Sequence, residues 1–269
     1  MPAGLSLHIG LNNVDPAKYD GWDGQLNACE NDARDMAALA RATGFKDSVL
    51  LTEDGTVDNI TAALRKAAGK LKDGDILLFT YSGHGGQMPD NEGEEPDELD
   101  ETLVFYDRQF LDDELHREFC RFAPGVRIVS LLDCCHSGSA TEDPDMPADA
   151  DGAEAPRFMP VVRQQQIFER DKAFYQGLQR ELRHAPDGAE PGTVLISACQ
   201  DDQVALDGRV NGKFTETLLR VWNGGAFGDG GYQAFQRAIK ARMPRTQVPN
   251  FFTTGEPAPD FLAQKPFTV

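Results

Sequence analysis

Two short stretches of this 269-residue chain carry side chains able to do covalent chemistry. Ser82-Gly83-His84-Gly85-Gly86 presents an imidazole among glycines, and Asp133-Cys134-Cys135-His136-Ser137-Gly138 presents two adjacent thiols. A thiol that gives its proton to an imidazole becomes a nucleophile for a carbonyl carbon, and the imidazole can return that proton to a leaving group. His84 with a cysteine of the second stretch is therefore a candidate catalytic pair. The flanking glycines would let backbone N–H groups approach a substrate and bind a developing oxyanion. His136 is a poor base for Cys135, and Cys134-Cys135-His136 is a poor metal site, because adjacent side chains point in different directions. A lone histidine after a strand is more often a cap or a surface residue, and a cysteine at a strand end is more often core. Two such turns, each following a buried strand, argue against coincidence.

The elements that must position these turns are legible. Residues 76–81 form a continuous apolar run, the pattern of a strand buried on both faces, and residues 126–132 read as a second buried strand. If they are neighbours, His84 and the cysteines meet at the carboxyl edge of one sheet, where open α/β sheets place their sites. Further strands are expected at residues 5–12, 48–52, 102–106, 193–198 and 247–253. Helices are expected at 27–42, from Thr56 or Asp58 to 71, and at 112–122, 162–184, 214–222 and 232–241. The tail reads as irregular. This alternation predicts an α/β sandwich around a mainly parallel sheet.

Acidic residues number 44 against 26 basic ones, for a net charge of −18, which argues against non-specific binding to nucleic acid or anionic membranes. Residues 90–101 hold eight acids and residues 142–154 hold six, so the rest of the chain is close to neutral. Residues 139–160, rich in Pro, Ala and Asp, read as a mobile linker exposed to proteolysis. Five irregularly spaced cysteines without a Cys-x-x-Cys pair predict free thiols in a reducing compartment rather than a disulfide framework or structural zinc. No apolar run is long enough to span a membrane, and the first residues lack the basic and apolar regions of a signal peptide, so a cytoplasmic location is expected.

Tyr81-Ser82-Gly83-His84-Gly85 and Asp133-Cys134-Cys135-His136-Ser137-Gly138 resemble the two signature motifs of metacaspases, the caspase-like cysteine peptidases. Asn27-Ala28-Cys29-Glu30-Asn31-Asp32-Ala33, Asp100-Glu101-Thr102-Leu103, Asp112-Asp113-Glu114-Leu115 and Ser197-Ala198-Cys199-Gln200-Asp201-Asp202-Gln203 are similar to further family motifs in the family's order. The likeness runs from about residue 5 to residue 252 and is to a prokaryotic-type member without a prodomain.

The resemblance implies a caspase-like three-layer sandwich with a six-stranded, mostly parallel sheet. One peptidase domain would be made of a large-subunit-like part (5–138), a linker (139–162) and a small-subunit-like part (163–269). It implies Cys135 as nucleophile, His84 as general base, and Cys29, Asp32, Ser82 and Asp133 as the primary specificity pocket. Two carboxylates there would pair with Arg or Lys and reject Asp. Without the resemblance, Asp32 reads as a first-turn helix acid and Asp133 as a cap. The family further implies calcium as activator at Asp100, Asp112, Asp113 and Glu142, and self-cleavage in the linker at Arg157 or Arg163. Protein or peptide substrates and a monomeric state are expected. The competing reading is a catalytically weak, calcium-responsive interaction module.

Overall fold

The computed structural model describes residues 2–90, 99–135, 155–183, 190–200, 203–228 and 230–269. Nine strands lie among these residues: β1 (Gly4–Gly10), β2 (Lys46–Leu51), β3 (Ile76–Ser82), β4 (Gly85–Pro89), β5 (Leu99–Val104), β6 (Gln109–Leu111), β7 (Arg127–Asp133), β8 (Thr193–Ser197) and β9 (Asn250–Thr254). The helices are α1 (Cys29–Ala42), α2 (Val57–Ala68), α3 (Asp112–Phe119), α4 (Val161–Arg170), α5 (Lys172–Leu182), α6 (Lys213–Trp222), α7 (Gly231–Lys240) and α8 (Pro259–Ala263).

Six strands form the main sheet in the order β2-β1-β3-β7-β8-β9, with only β9 antiparallel to its neighbour. This is the mostly parallel, helix-covered sheet that the sequence predicts. Alternation along β3 explains its unbroken apolar run. Ile76 and Leu78 face one core, packed with α1, α6 and α7, while Leu77, Phe79 and Tyr81 face another, packed with α2 and α3. The strand order reverses beside β1, which lies between β2 and β3, and α1 starts close to this switch point. Gly10 permits that approach, because a side chain there would overlap the Cys29 carbonyl.

Strands β4, β5 and β6 form a separate antiparallel sheet. Of this sheet, only the strand at residues 102–106 is expected from the sequence. The β4 segment, Gly-Gly-Gln-Met-Pro, has the composition of a loop and becomes a strand through pairing with β5. The helix expected at 162–184 is two helices broken at Asp171, and the tail contains α8, started by Pro259.

The linker expectation also needs correction where it can be followed. Residues 136–154 lie outside the described set, but Ala155, Arg157, Phe158 and Met159 are buried. Tertiary pairing overrides their loop-like composition.

Candidate active site

Register places the two reactive turns side by side. Along β3 and β7 the partners run from Ile76 and Arg127 to Ser82 and Asp133, so His84 and Cys135 each lie two residues beyond a paired strand end. Gly85 packs against the Cys135 backbone so closely that a Cβ would overlap its carbonyl, a reason for glycine at that position.

His84 is buried against Trp22, with ring centroids 4.9 Å apart, and its Nε2 lies 2.9 Å from the Gly24 carbonyl. A carbonyl only accepts, so Nε2 carries the proton and Nδ1 keeps the basic lone pair. Nδ1 is buried without a hydrogen-bond partner. Burial, aided by the nearby positive charge of Arg157 and opposed by the Gly24 carbonyl, lowers the imidazole to about 4, so it is neutral at neutral pH.

Among the described residues the Cys135 thiol is hydrogen-bonded to Ala205 and not to His84. Its Sγ accepts a hydrogen bond from the Ala205 N–H and lies 3.5 Å from the Ala205 carbonyl. Burial first, then the neighbouring Cys199 thiol, pushes its pKa well above the ordinary value, so the sulfur is protonated in this arrangement.

Between these turns lies the chain's own segment around Arg157. Arg157 N–H donates to the Ala205 carbonyl at 2.9 Å, and Asp207 N–H donates to the Ala155 carbonyl at 2.8 Å, an antiparallel pairing centred on Pro156 and Leu206. The Arg157 carbonyl accepts from two backbone donors, Gly85 N–H at 3.0 Å and Cys135 N–H at 3.1 Å. Past it, Phe158 bridges to Gly85, and Met159 N–H donates to the Gly85 carbonyl at 2.8 Å. A peptide held this way has one carbonyl polarised by two N–H groups beside a thiol and an imidazole.

The Arg157 side chain, fully buried, fills the predicted pocket. Nη1 lies 2.8 Å from Ser82 Oγ and 3.0 Å from Asp133 Oδ1, and Nη2 lies 2.8 Å from Asp32 Oδ2 and 2.9 Å from Asp207 Oδ1. Neutral groups hold each carboxylate. Gly212 N–H and the Ser82 hydroxyl donate to Asp32, the Thr215 N–H and hydroxyl donate to Asp133, and the N–H groups of Asn27 and Ala28 donate to Asp207. Burial nevertheless raises Asp32 to about 6; Arg157 opposes this, and Asp133 adds to it. Cys29 is buried beside Ser82 at the start of α1, its thiol pushed far up by burial.

The structure thus gathers Asp32, Ser82 and Asp133 on one guanidinium, with Cys29 alongside. It reverses the expectation that Arg157 lies in an exposed linker. Asp207 was missed, because a single aspartate among 44 acids carries no local signal. Gly24 and Trp22 were missed because they reach His84 from a loop distant in sequence.

The predicted calcium residues lie elsewhere. Asp100 on β5 and Asp112 and Asp113 at the start of α3 are brought near each other by the β5–β6 pairing, while Glu142 lies outside the described residues. Asp112 keeps part of its surface exposed. Desolvation, then the charges of Asp113, Glu101 and Asp100, still push its carboxyl well above the usual range. Asp100 accepts from the Gln179 amide. The donors are the hard oxygens calcium prefers. Among the described residues, however, no three His, Cys, Asp or Glu side chains are arranged to hold a metal ion. No helix among them is long and apolar enough to cross a membrane, and none of the five cysteines is joined in a disulfide.

Comparison with known proteins agrees with this architecture. A caspase domain model matches residues 9–258. Metacaspase-1 of Mycosarcoma maydis is 32% identical over 243 residues, covering 78% of this chain and 59% of that protein. Metacaspase-1A of Aspergillus fumigatus is 41% identical over 154 residues, covering 52% of this chain and 36% of that protein. The match therefore covers less than two thirds of the length of each of these relatives. A crystal structure of a Geobacter sulfurreducens protein superimposes with a TM-score of 0.88 at 45% identity, covering 100% of this chain and 99% of that one. Caspase-1 of Spodoptera frugiperda shares the fold, with a TM-score of 0.58 at 13% identity over 93% of this chain and 86% of that one. The sheet order, the paired His and Cys turns and the match over residues 9–258 lead to one conclusion: the chain belongs to the caspase-domain family and has metacaspases among its relatives.

Proposed function

We propose that the protein is a cysteine endopeptidase that cleaves after Arg or Lys through a Cys135–His84 dyad. The observation that carries this reading is Arg157, whose side chain lies among Asp32, Asp133 and Asp207 while its carbonyl accepts from Gly85 and Cys135 N–H. In this scheme Cys135 Sγ turns from Ala205 toward the Arg157 carbonyl carbon, and His84 Nδ1 takes its proton. The thiolate adds to the carbonyl, and the oxygen that becomes negative is held by the same two N–H groups. His84 passes the proton to the Phe158 nitrogen as the Arg157–Phe158 bond breaks. Water, deprotonated by His84, then releases the acyl group from sulfur. Until the bond breaks, the segment blocks the pocket against other substrates.

Calcium is proposed as the activator. Asp100, Asp112 and Asp113 would contribute oxygens to its site without completing it, and its charge would relieve the repulsion that adds to burial in raising Asp112. One observation favours a second reading, a catalytically weak binding module: the Cys135 sulfur accepts a hydrogen bond from Ala205 N–H, and burial raises its pKa.

Incubating the purified protein with calcium and mapping fragments by intact mass separates the two. A new N-terminus at Phe158, absent in Cys135→Ala, supports the peptidase. An intact chain that hydrolyses neither itself nor an Arg-ending reporter peptide supports the binding module.

A further inference from the structure

We propose that Asp207 is a specificity-determining residue that makes the pocket select a guanidinium over an ammonium, so that Arg substrates are strongly preferred to Lys. This rests on the reading of the Arg157 pocket as the primary specificity pocket.

The guanidinium divides its charge between the two arms of its fork. The guanidinium is met on two separate nitrogens: Nη1 by Ser82 and Asp133, Nη2 by Asp32 and Asp207. Nε has no hydrogen-bond partner, so recognition rests on the fork. Gly212 supplies the room, since a side chain there would overlap the guanidinium. A lysine ammonium is a point charge that ends one bond short of both η nitrogens. It cannot serve Asp133 on one side and Asp207 on the other from a single position. Whichever carboxylate it leaves stays buried and uncompensated, and the cost of burying an unpaired charge falls on Lys substrates alone.

The position of Asp207 suits this role. Its carboxylate is almost fully buried and is fixed from behind by Asn27 and Ala28 N–H, at 2.7 and 3.3 Å. Its own N–H pairs with the Ala155 carbonyl two residues before the bond to be cut. One residue thus reads both the backbone of the bound peptide and the far edge of the guanidinium.

The experiment compares kcat/KM for two reporter peptides that differ only in a terminal Arg or Lys, in calcium, for the full-length wild type and Asp207→Asn. Asparagine loses the charge and keeps one of the two oxygens that accept from the Asn27 and Ala28 N–H groups. Wild type is expected to favour Arg by about 100-fold or more, and Asp207→Asn to bring the two within about tenfold, mainly through KM for Arg. An unchanged Arg-to-Lys ratio, with both rates lowered equally, assigns Asp207 a structural role and overturns the proposal while leaving the pocket reading intact. A wild type that cleaves after neither residue, or after Asp, overturns both. A second measurement needs no variant: agmatine should inhibit wild-type cleavage of the Arg peptide at concentrations at least about tenfold below cadaverine. Equal inhibition by these two cations overturns the selection of guanidinium even if Asp207→Asn fails to fold.

Discussion

Two carboxylate clusters in this molecule have similar composition and opposite electrostatic states. Around Arg157, three aspartates are buried, each held by neutral donors and all facing one guanidinium. At the start of α3, Asp112 lies beside Asp113, Glu101 and Asp100, and the charges acting on it are repulsive. The first cluster is closed by a cation from its own chain. The second has the electrostatics of a site that gains stability from a cation supplied in solution. Sequence composition does not distinguish them, because both are read as aspartates near glycines or helix starts.

The largest expected effect separates the chemistry of the first cluster from modulation by the second. Cys135→Ala and His84→Ala should each lower self-cleavage and reporter hydrolysis by about a thousandfold or more. Cys134→Ala, whose sulfur is in the core packed with α2 and α3, should retain most activity if it folds. Loss of activity in Cys134→Ala with retention in Cys135→Ala would reverse the assignment.

Next is specificity. Asp32→Ala should lower kcat/KM for an Arg peptide by roughly thirtyfold or more, since losing one partner of a desolvated charge pair costs about 2–5 kcal/mol. A preference for Asp-ending peptides would exclude the pocket as described.

Stability tests the comparison directly. In a Cys135→Ala background, which keeps the chain uncut, Arg157→Ala should destabilise the protein by about 3 kcal/mol or more in urea, because three buried carboxylates lose their counter-charge. Asp112→Asn should change stability by no more than about 0.5 kcal/mol, or raise it slightly, because it removes repulsion at a partly exposed site. Equal losses at both sites would remove the distinction. Calcium should show the reverse dependence. A strong chelator should suppress activity, and Asp112→Asn should shift the calcium response to about tenfold higher concentration without changing the Arg preference.

The smallest effect is on pH dependence. Asp32 has a folded pKa of about 6 against an ordinary value of 3.8, so the folded state binds a proton that the unfolded chain releases between these values. Its contribution therefore favours folding more as pH falls from 6 to 4; the cost of ionising it builds as pH rises through that range and is complete above pH 6. Relative to Asp32→Asn in the same Cys135→Ala background, the uncut protein should lose about 1–3 kcal/mol of stability between pH 4 and pH 7. A difference that does not vary with pH would show that Arg157 and the backbone donors fully offset the burial of Asp32.

Local sequence carried much of the architecture. The apolar runs of β3 and β7 specify strands covered on both faces, because only such strands need no polar alternation. The glycine-flanked turns that follow them were legible as the place for a histidine and a cysteine, and the order of motifs identified the family. Three other features depended on contacts between residues far apart in the chain. Strand β4 has no intrinsic preference for extension and is held by β5. Asp207 joins the pocket from 50 residues beyond Arg157, and Gly24 sets the protonated nitrogen of His84 from 60 residues before it. Composition made Arg157 read as an exposed linker residue, because Pro, Ala and Asp build no core. Yet three carboxylates and two backbone N–H groups, supplied by separate elements, bury it. Hydrophobic periodicity is a property of neighbouring residues and is written in the chain. The compensation of buried charge depends on which distant groups the fold brings together, and only the tertiary structure decides that.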